Sequence, residues 1–243
     1  MSTVRSGVIA SGGRNIADFN WHFYADADHN LTTSGSNVVS IGSLIGGGTF
    51  NRQSTGPTIN TAWRNSKNAF TCSTFATRMV GTGGNIGTNT NAPFTTVNVG
   101  QLCTTPAVAP YAIPCAWIAN PGNSWFQNNT VNYYGDDATY NFGAITAGQK
   151  GTPFISICYN NGASSNLKIW FNGLAKKDSN SAGGGYPTTS NTGTSGWTWG
   201  SGRTDYPYSS QLAAFGVIPG QLTTAQENDL FGILSGYYNI IPT

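Results

Sequence analysis

Between Pro153 and Gly173 the chain alternates with a period of two. In "PFISICYNNGASSNLKIWFNG", Ile155, Ile157 and Tyr159 interleave with Ser156 and Cys158, and Leu167, Ile169 and Phe171 interleave with Lys168 and Trp170. That period predicts half-buried strands, and the polar stretch "NNGASSN" between them predicts an antiparallel hairpin, closed at its far end by Asn172-Gly173. Shorter runs carry the same signature. "SNVVSIGSLI" reads as a strand ending at a break, Gly46-Gly47-Gly48. "AFTCSTFATRMVG" reads as one or two strands around a turn. "PFTTVNVGQLCT", "YAIPCAWIAN", "GWTWGSG" and "SQLAAFGVIPG" are further strands, and "VNYYGDDATYNFG" is a second hairpin with its turn at Gly135-Asp136-Asp137. "SNSAGGGYPTTSNTGTSG" is a long polar loop, the kind of segment that often carries function.

One segment switches to the helical period. In "LTTAQENDLFGILSGYY", Leu222, Leu230, Ile233 and Leu234 form an apolar stripe. Thr223 or Thr224 is placed to cap its start, Glu227 sits one turn in as a capping box requires, and Gly236 can end it. Residues 1–20 are rich in Gly and Ser and predict a flexible N-terminal arm. No linker or internal repeat divides the remainder, so residues 21–243 predict a single all-β domain with one C-terminal helix.

Composition sharpens this picture. Charged residues make up only 8% of the 243, against roughly 25% in an ordinary soluble domain. Solubility must come from Asn, Ser, Thr and Gly. Disorder does not follow, because 12% of residues are aromatic and seven Trp need burial. Net charge is +2, with Lys and Arg scattered, which argues against a nucleic-acid partner. No run of 18 apolar residues exists to insert into a membrane, and the N-terminus carries no apolar run of leader length, so the chain reads as made in a cytoplasm. Cys72, Cys103, Cys115 and Cys158 lack metal-binding spacing and read as buried thiols.

From about Pro153 to Tyr238 the sequence resembles the laminin-G-like branch of the concanavalin A-like jelly rolls. The resemblance rests on "ISICYNNGASSNLKIWFNG", then "GWTWGSGRTDYPYSSQLAAFGVIPGQLT", then "LTTAQENDLFGIL", in that order and spacing. The opening "FYADADHNLTTSGSNVVSI" is similar to the first strands of jelly-roll proteins common in bacteriophage particles. The resemblance implies a two-sheet antiparallel jelly-roll sandwich with one short C-terminal helix.

Retaining glucanases on that fold present a Glu-x-Asp-x-x-Glu strand, whose carboxyl pair stands about 5 Å apart. Here the single glutamate is Glu227, at the start of the helix, and Asp136-Asp137 adjoin a turn. The two histidines, His22 and His29, accompany no Gly-x-Ser-x-Gly elbow, and no phosphate-binding Gly-x-x-x-x-Gly-Lys motif is present. The chain therefore reads as non-enzymatic. Asp26, Asp28 and Asn30 repeat at i, i+2 and i+4, as in the first half of a calcium loop, but the later glycine and closing glutamate are missing. A hydrogen-bonded turn is the simpler account, with Ca²⁺ as the alternative and no other cofactor implied.

Two functional classes remain. Trp197 and Trp199 share a strand face, and with Arg203, Asp205, Tyr206 and Tyr208 they could form a sugar-stacking platform; the competing account buries the two Trp in the sandwich core. Trp125, Tyr133 and Tyr134 form a second aromatic group. The resemblance and the low-charge Asn/Thr/Gly composition point instead to a virion structural protein, most simply a capsid decoration or cement protein. Its partners would be the phage major capsid protein or another virion protein and further copies of itself, as in a trimer. Arg5 and Arg14 on the arm would pair with acidic shell residues. The alternative is a tail or fibre module that binds a host-surface glycan.

Overall fold

The computed structural model describes residues 14–87, 94–102, 115–117, 124–127, 130–135, 138–144, 151–160, 167–171, 177–179, 196–200, 208 and 210–241. The strands are β1 (Phe23–Asp26), β2 (Leu31–Ser34), β3 (Asn37–Gly42), β4 (Thr49–Arg52), β5 (Thr58–Arg64), β6 (Lys67–Thr71), β7 (Met79–Thr82), β8 (Phe94–Gln101) and β9 (Cys115–Trp117), then β10 (Ser124–Gln127), β11 (Thr130–Gly135), β12 (Ala138–Ala144), β13 (Pro153–Asn160), β14 (Leu167–Phe171), β15 (Lys177–Ser179), β16 (Trp197–Trp199) and β17 (Gln211–Pro219). One α-helix among the described residues, α1 (Thr224–Tyr238), closes the chain.

Among the described residues the sheet runs β15-β14-β13-β8-β17-β6-β5-β3-β4-β7-β16-β9, with β1 added to β17 and β2 to β3; β10-β11-β12 form a separate meander. Every pairing between these strands is antiparallel. The long sheet curls so that its two halves face each other. Rings from opposite halves meet inside: Phe50 of β4 lies 5.9 Å from Phe215 of β17, and Trp197 of β16 lies 5.6 Å from the same ring. The all-β jelly-roll sandwich with a C-terminal helix is the observed fold.

The expected hairpins form. Ser156 stands opposite Phe171 and Tyr159 opposite Lys168 in β13–β14, and Gly135 stands opposite Ala138 in β11–β12. The turn residues 136–137 lie outside the described residues, as do the long polar loop and Gly183–Gly185. A hairpin the period analysis passed over joins β5 to β6. Asn65 (φ 47°) and Ser66 (φ 58°) both adopt left-handed backbone between the paired Arg64 and Lys67, as a two-residue hairpin turn demands. The break at Gly46 is a close approach as well as a turn: its φ is 85°, and a Cβ there would collide with the backbone of His22.

One expectation needs correction. The central strands are buried on both faces, not half-buried. Phe154 and Cys158 of β13 join the core between the sheets, while Ile155 and Ile157 join a second apolar layer on the outside. β8 and β17 are likewise buried nearly end to end. The outer layer exists because α1 lies across these strands, burying Leu230, Phe231, Ile233, Leu234, Tyr237 and Tyr238. Apolar contact on both faces explains why so few charges appear in these strands.

The segment before β1 completes that outer layer. A short 3-10 turn, Ile16–Asp18, is capped by Asn15, with Ala17 N–H donating to Asn15 Oδ1 at 2.8 Å. Ile16, Phe19 and Trp21 are buried. Trp21 donates its indole N–H to the Ile16 carbonyl at 2.6 Å and lies against Gly216, where a Cβ would come within 2.5 Å of its ring. The arm expected over residues 1–20 is therefore packed from residue 14 onward, because Ile16, Phe19 and Trp21 are too apolar to leave in water.

The helix also ends and begins differently in detail. Thr223 is the N-cap, and the reciprocal partner is Gln226 rather than Glu227. Glu227 is buried at 4% exposure. The helix passes through Gly236 and stops at Asn239, whose φ of 51° and ψ of 50° give the left-handed cap.

Candidate functional site

The turn between β1 and β2 concentrates polar chemistry. Asp26 ends β1 with 2% of its surface exposed. Its Oδ1 accepts the backbone N–H groups of Asp28 (3.0 Å) and His29 (2.9 Å), and His29 Nδ1 lies 2.8 and 3.0 Å from its two oxygens. Asp28 faces the other way. Its Oδ1 accepts the backbone N–H of Asn68 in β6 (2.8 Å), and its Oδ2 accepts the hydroxyl of Tyr237 in α1 (3.1 Å). Asn68 Nδ2 returns a bond to the Ala27 carbonyl at 3.2 Å.

The same corner holds the end of the helix. Asn65 Nδ2 donates to the Tyr237 carbonyl at 2.8 Å and Arg64 donates to the Asn239 carbonyl at 2.8 Å, so the β5–β6 turn caps the helix C-terminus. Lys67 Nζ stands 3.9 Å from the centre of the Tyr237 ring. One turn thus ties together β1, β6 and α1.

Electrostatics follow from this packing. The Asp26 hydrogen bond holds the His29 imidazole above its ordinary pKa, against the opposing effect of burial. Burial raises the Asp28 carboxyl, and the Asn68 amide partly offsets it. Tyr237 is raised by burial and by the neighbouring carboxylates, and Tyr24 and Tyr238 are raised chiefly by burial. His22, the other histidine, is lowered by burial.

The calcium alternative does not fit this geometry. Asp26 and Asp28 spend their oxygens on protein donors in different directions, and Asn30 (φ 52°) turns its amide to the Ser43 carbonyl at 3.2 Å. Among the described residues no cluster of three or more His, Cys, Asp or Glu side chains is set to hold a metal. The three residues form a turn because a carboxylate that accepts local amides replaces the water those amides would lose on burial.

The aromatic platform is also corrected. Trp197, Trp199 and Tyr208 are fully buried, 0% exposed. Trp197 packs edge-on to Phe94 and Phe215, Trp199 packs edge-on to Phe50 and Phe70, and the Tyr208 hydroxyl donates to the Gln101 carbonyl at 2.8 Å. Two Trp on one strand face can serve a sugar or a core, and in a sandwich with aromatic residues on both inner faces the core takes them. Arg203, Asp205 and Tyr206 lie outside the described residues. In the second aromatic group, the β10–β11 register sets Trp125 opposite Tyr133.

Arg5 lies outside the described residues, and Arg14 is already engaged by its own chain: its Nε lies 3.4 Å from Asp229 of α1. Cys72 and Cys158 are free and buried, and burial pushes the Cys72 thiol far up, which leaves it unreactive. The side chains of Cys103 and Cys115 lie outside the described residues.

The surface feature that sequence analysis missed is the outer face of the second half-sheet. On β4, β5 and β7 the inward positions are apolar (Phe50, Ile59, Met79), and Asn51, Thr58, Asn60 and Thr82 stand an odd number of residues from them, exposed on the outer face; Thr32, Thr33, Ser34, Arg52, Thr61 and Ala62 are also exposed on these strands and β2, with Arg52 the single charge among them. Asn51 and Thr82 are joined across the strands at 3.0 Å. The signal was present as the alternation in "TFNR" and "TINTAW", but such short polar strands resemble loops in sequence.

No family model and no curated protein matches this sequence. Solved structures do match in fold. The botulinum neurotoxin serotype C1 binding domain superposes with a TM-score of 0.61 at 13% identity, over 90% of this chain and 53% of that one. The botulinum neurotoxin type G receptor binding domain gives 0.59 at 11%, over 90% and 53%. Trypanosoma rangeli sialidase gives 0.59 at 12%, over 96% of this chain and 36% of that one. The chain spans about half the length of the toxin domains and about a third of the sialidase. At these identities the likeness is one of fold.

Proposed function

We propose that this chain is a non-enzymatic structural protein of a bacteriophage particle, a decoration or cement protein that attaches to the shell through the outer face of β2, β4, β5 and β7. The observation that carries this reading is the chemistry of that face. It offers hydroxyls and amides with almost no charge, and the cores of protein interfaces are depleted in charged side chains because burying them is costly. Of the aromatic residues that a sugar platform would use, Trp197, Trp199 and Tyr208 are in the core instead. Homo-oligomer formation and residence on the virion belong to the same proposal.

A second reading is a glycan-binding adsorption module. What favours it is that similar folds include a toxin receptor binding domain and a sialidase solved with sialic acid. On this reading Arg203, Asp205 and Tyr206 remain the residues to examine. The test mixes the purified chain with phage capsids that lack it and images them by electron microscopy. Regular occupancy at lattice positions, lost in a Thr58→Glu/Asn60→Glu variant that still folds, supports the decoration role. Bare capsids together with a specific hit on a glycan array would move the assignment to the second reading.

A further inference from the structure

Inside the sandwich, β8 and β13 lie side by side with Asn98 directly opposite Ser156. Both side chains point to the inner face. Phe94 of β8, Leu102 just after it, and Phe154 and Cys158 of β13, each an even number of residues away, belong to the core between the sheets, whereas Val97, Val99, Ile155 and Ile157 belong to the layer under α1. Asn98 and Ser156 are both 0% exposed. Yet the Asn98 amide nitrogen, the Asn98 amide oxygen and the Ser156 hydroxyl find no hydrogen-bond partner in the protein. The next polar residue along, Thr96, is served by the Cys158 carbonyl at 3.5 Å.

A third unpartnered group belongs to the same interior. Phe215 stands opposite Asn98 on the other side of β8. The Trp199 ring packs 6.2 Å from Phe215, and its indole N–H has no protein partner either. Each such buried group left unsatisfied destabilises the fold, because it gives up its bonds to water and gains none in return. Opposed side chains on neighbouring antiparallel strands are close enough to share one bridging molecule that both donates and accepts.

We infer that Asn98 and Ser156 form an internal binding site for water within the sandwich. The site also fixes the pairing of β8 with β13. A slip of one residue in either strand would turn its polar side chain into the apolar layer under the helix.

A high-resolution crystal structure of the intact chain, together with unfolding measurements on two variants, tests the site. Expected is an ordered solvent peak within hydrogen-bond distance of both the Asn98 amide and Ser156 Oγ. Asn98→Leu then lowers the folding equilibrium constant about tenfold or more, and Ser156→Ala lowers it less, because the water keeps its bonds to Asn98. A dry interior overturns the inference. So does a Ser156→Ala or Asn98→Leu protein more stable than the original, because deleting a genuinely unsatisfied group relieves its cost. If Asn98→Leu does not fold, the solvent peak and the sign of the Ser156→Ala effect decide.

Discussion

Asp26 is the residue on which the β1–β2 corner depends, and Asp26→Ala measures how much. The carboxylate is 2% exposed and accepts two backbone amides and the His29 ring. Hydrogen bonds to a charged group contribute about 1.5–3 kcal/mol each, but they are not additive, and breaking a buried ionic network typically costs about 3–5 kcal/mol. We therefore expect Asp26→Ala to destabilise the fold by about 3–5 kcal/mol, read by urea unfolding with Trp fluorescence. Asp26→Asn keeps an acceptor for the two amides and should cost about 1–2 kcal/mol. The pH dependence separates the charge from the shape. His29 and Asp28 both have pKa values raised on folding, from ordinary values of 6.5 and 3.8. A raised value means the folded chain holds its proton more tightly. The stabilisation is full below the unfolded value and is lost as pH climbs through the folded one. These two groups each lower the melting temperature as pH rises, Asp28 above about 4 and His29 above about 6.5, while His22, whose value burial lowers, works the other way up to about 6.5. Because Asp26 is the main cause of the His29 shift, Asp26→Asn should remove the His29 step and leave the other two. An Asp26→Ala cost below about 1 kcal/mol, or a pH dependence above pH 6.5 that is the same in Asp26→Asn as in the original protein, would refute the reasoning.

Three further outcomes follow from the same geometry. Trp199→Ala should cost about 3–5 kcal/mol in chemical unfolding, because it empties the space between Phe50, Phe70 and Phe215; a fully stable variant would contradict the core assignment. Thr223→Ala should cost about 1 kcal/mol by removing the acceptor for Gln226 N–H, while Glu227→Gln should leave the cap intact, as amide exchange in the first helical turn can show. Adding Ca²⁺ or a chelator should leave the melting temperature unchanged if the Asp26 turn is satisfied by protein donors; a calcium-dependent rise would revive the metal.

Sequence pattern reached the fold well where period or turn residues are distinct. The β13–β14 and β11–β12 hairpins, the "GWTWG" strand and the capped helix all announced themselves through period or turn residues. It misjudged exposure in β13, because alternation between Ile and Ser or Cys reports two environments and not which of them is water. Here the polar set faces the inner core, and the apolar set is covered by a helix more than sixty residues away in sequence. The same long-range contact explains why the Asp26 turn was read locally. Its partners Asn68 and Tyr237 are 40 and 209 residues from Asp28, and nothing in "DADHN" points to them.

The Trp pair carries the argument on function further than the turn does. A tryptophan side chain buries about 150–250 Å² wherever it goes, so its presence in a charge-poor chain fits either a sugar platform or a thick core. The deciding fact is what stands opposite. Phe23, Phe50, Phe70, Phe94 and Phe215 surround Trp197 and Trp199 with edge-on and tilted contacts from both halves of the sheet. On the reading proposed above, the outer face of β2, β4, β5 and β7 would engage its partner through short hydroxyl and amide side chains. Such groups bind weakly one at a time. A flat face of them becomes effective when many engage together, as on a repeating lattice, where several weakly held copies reinforce one another. Trp199→Ala is therefore the wrong probe of binding, and charge placed at Thr58 or Asn60, which leaves the core untouched, is the right one.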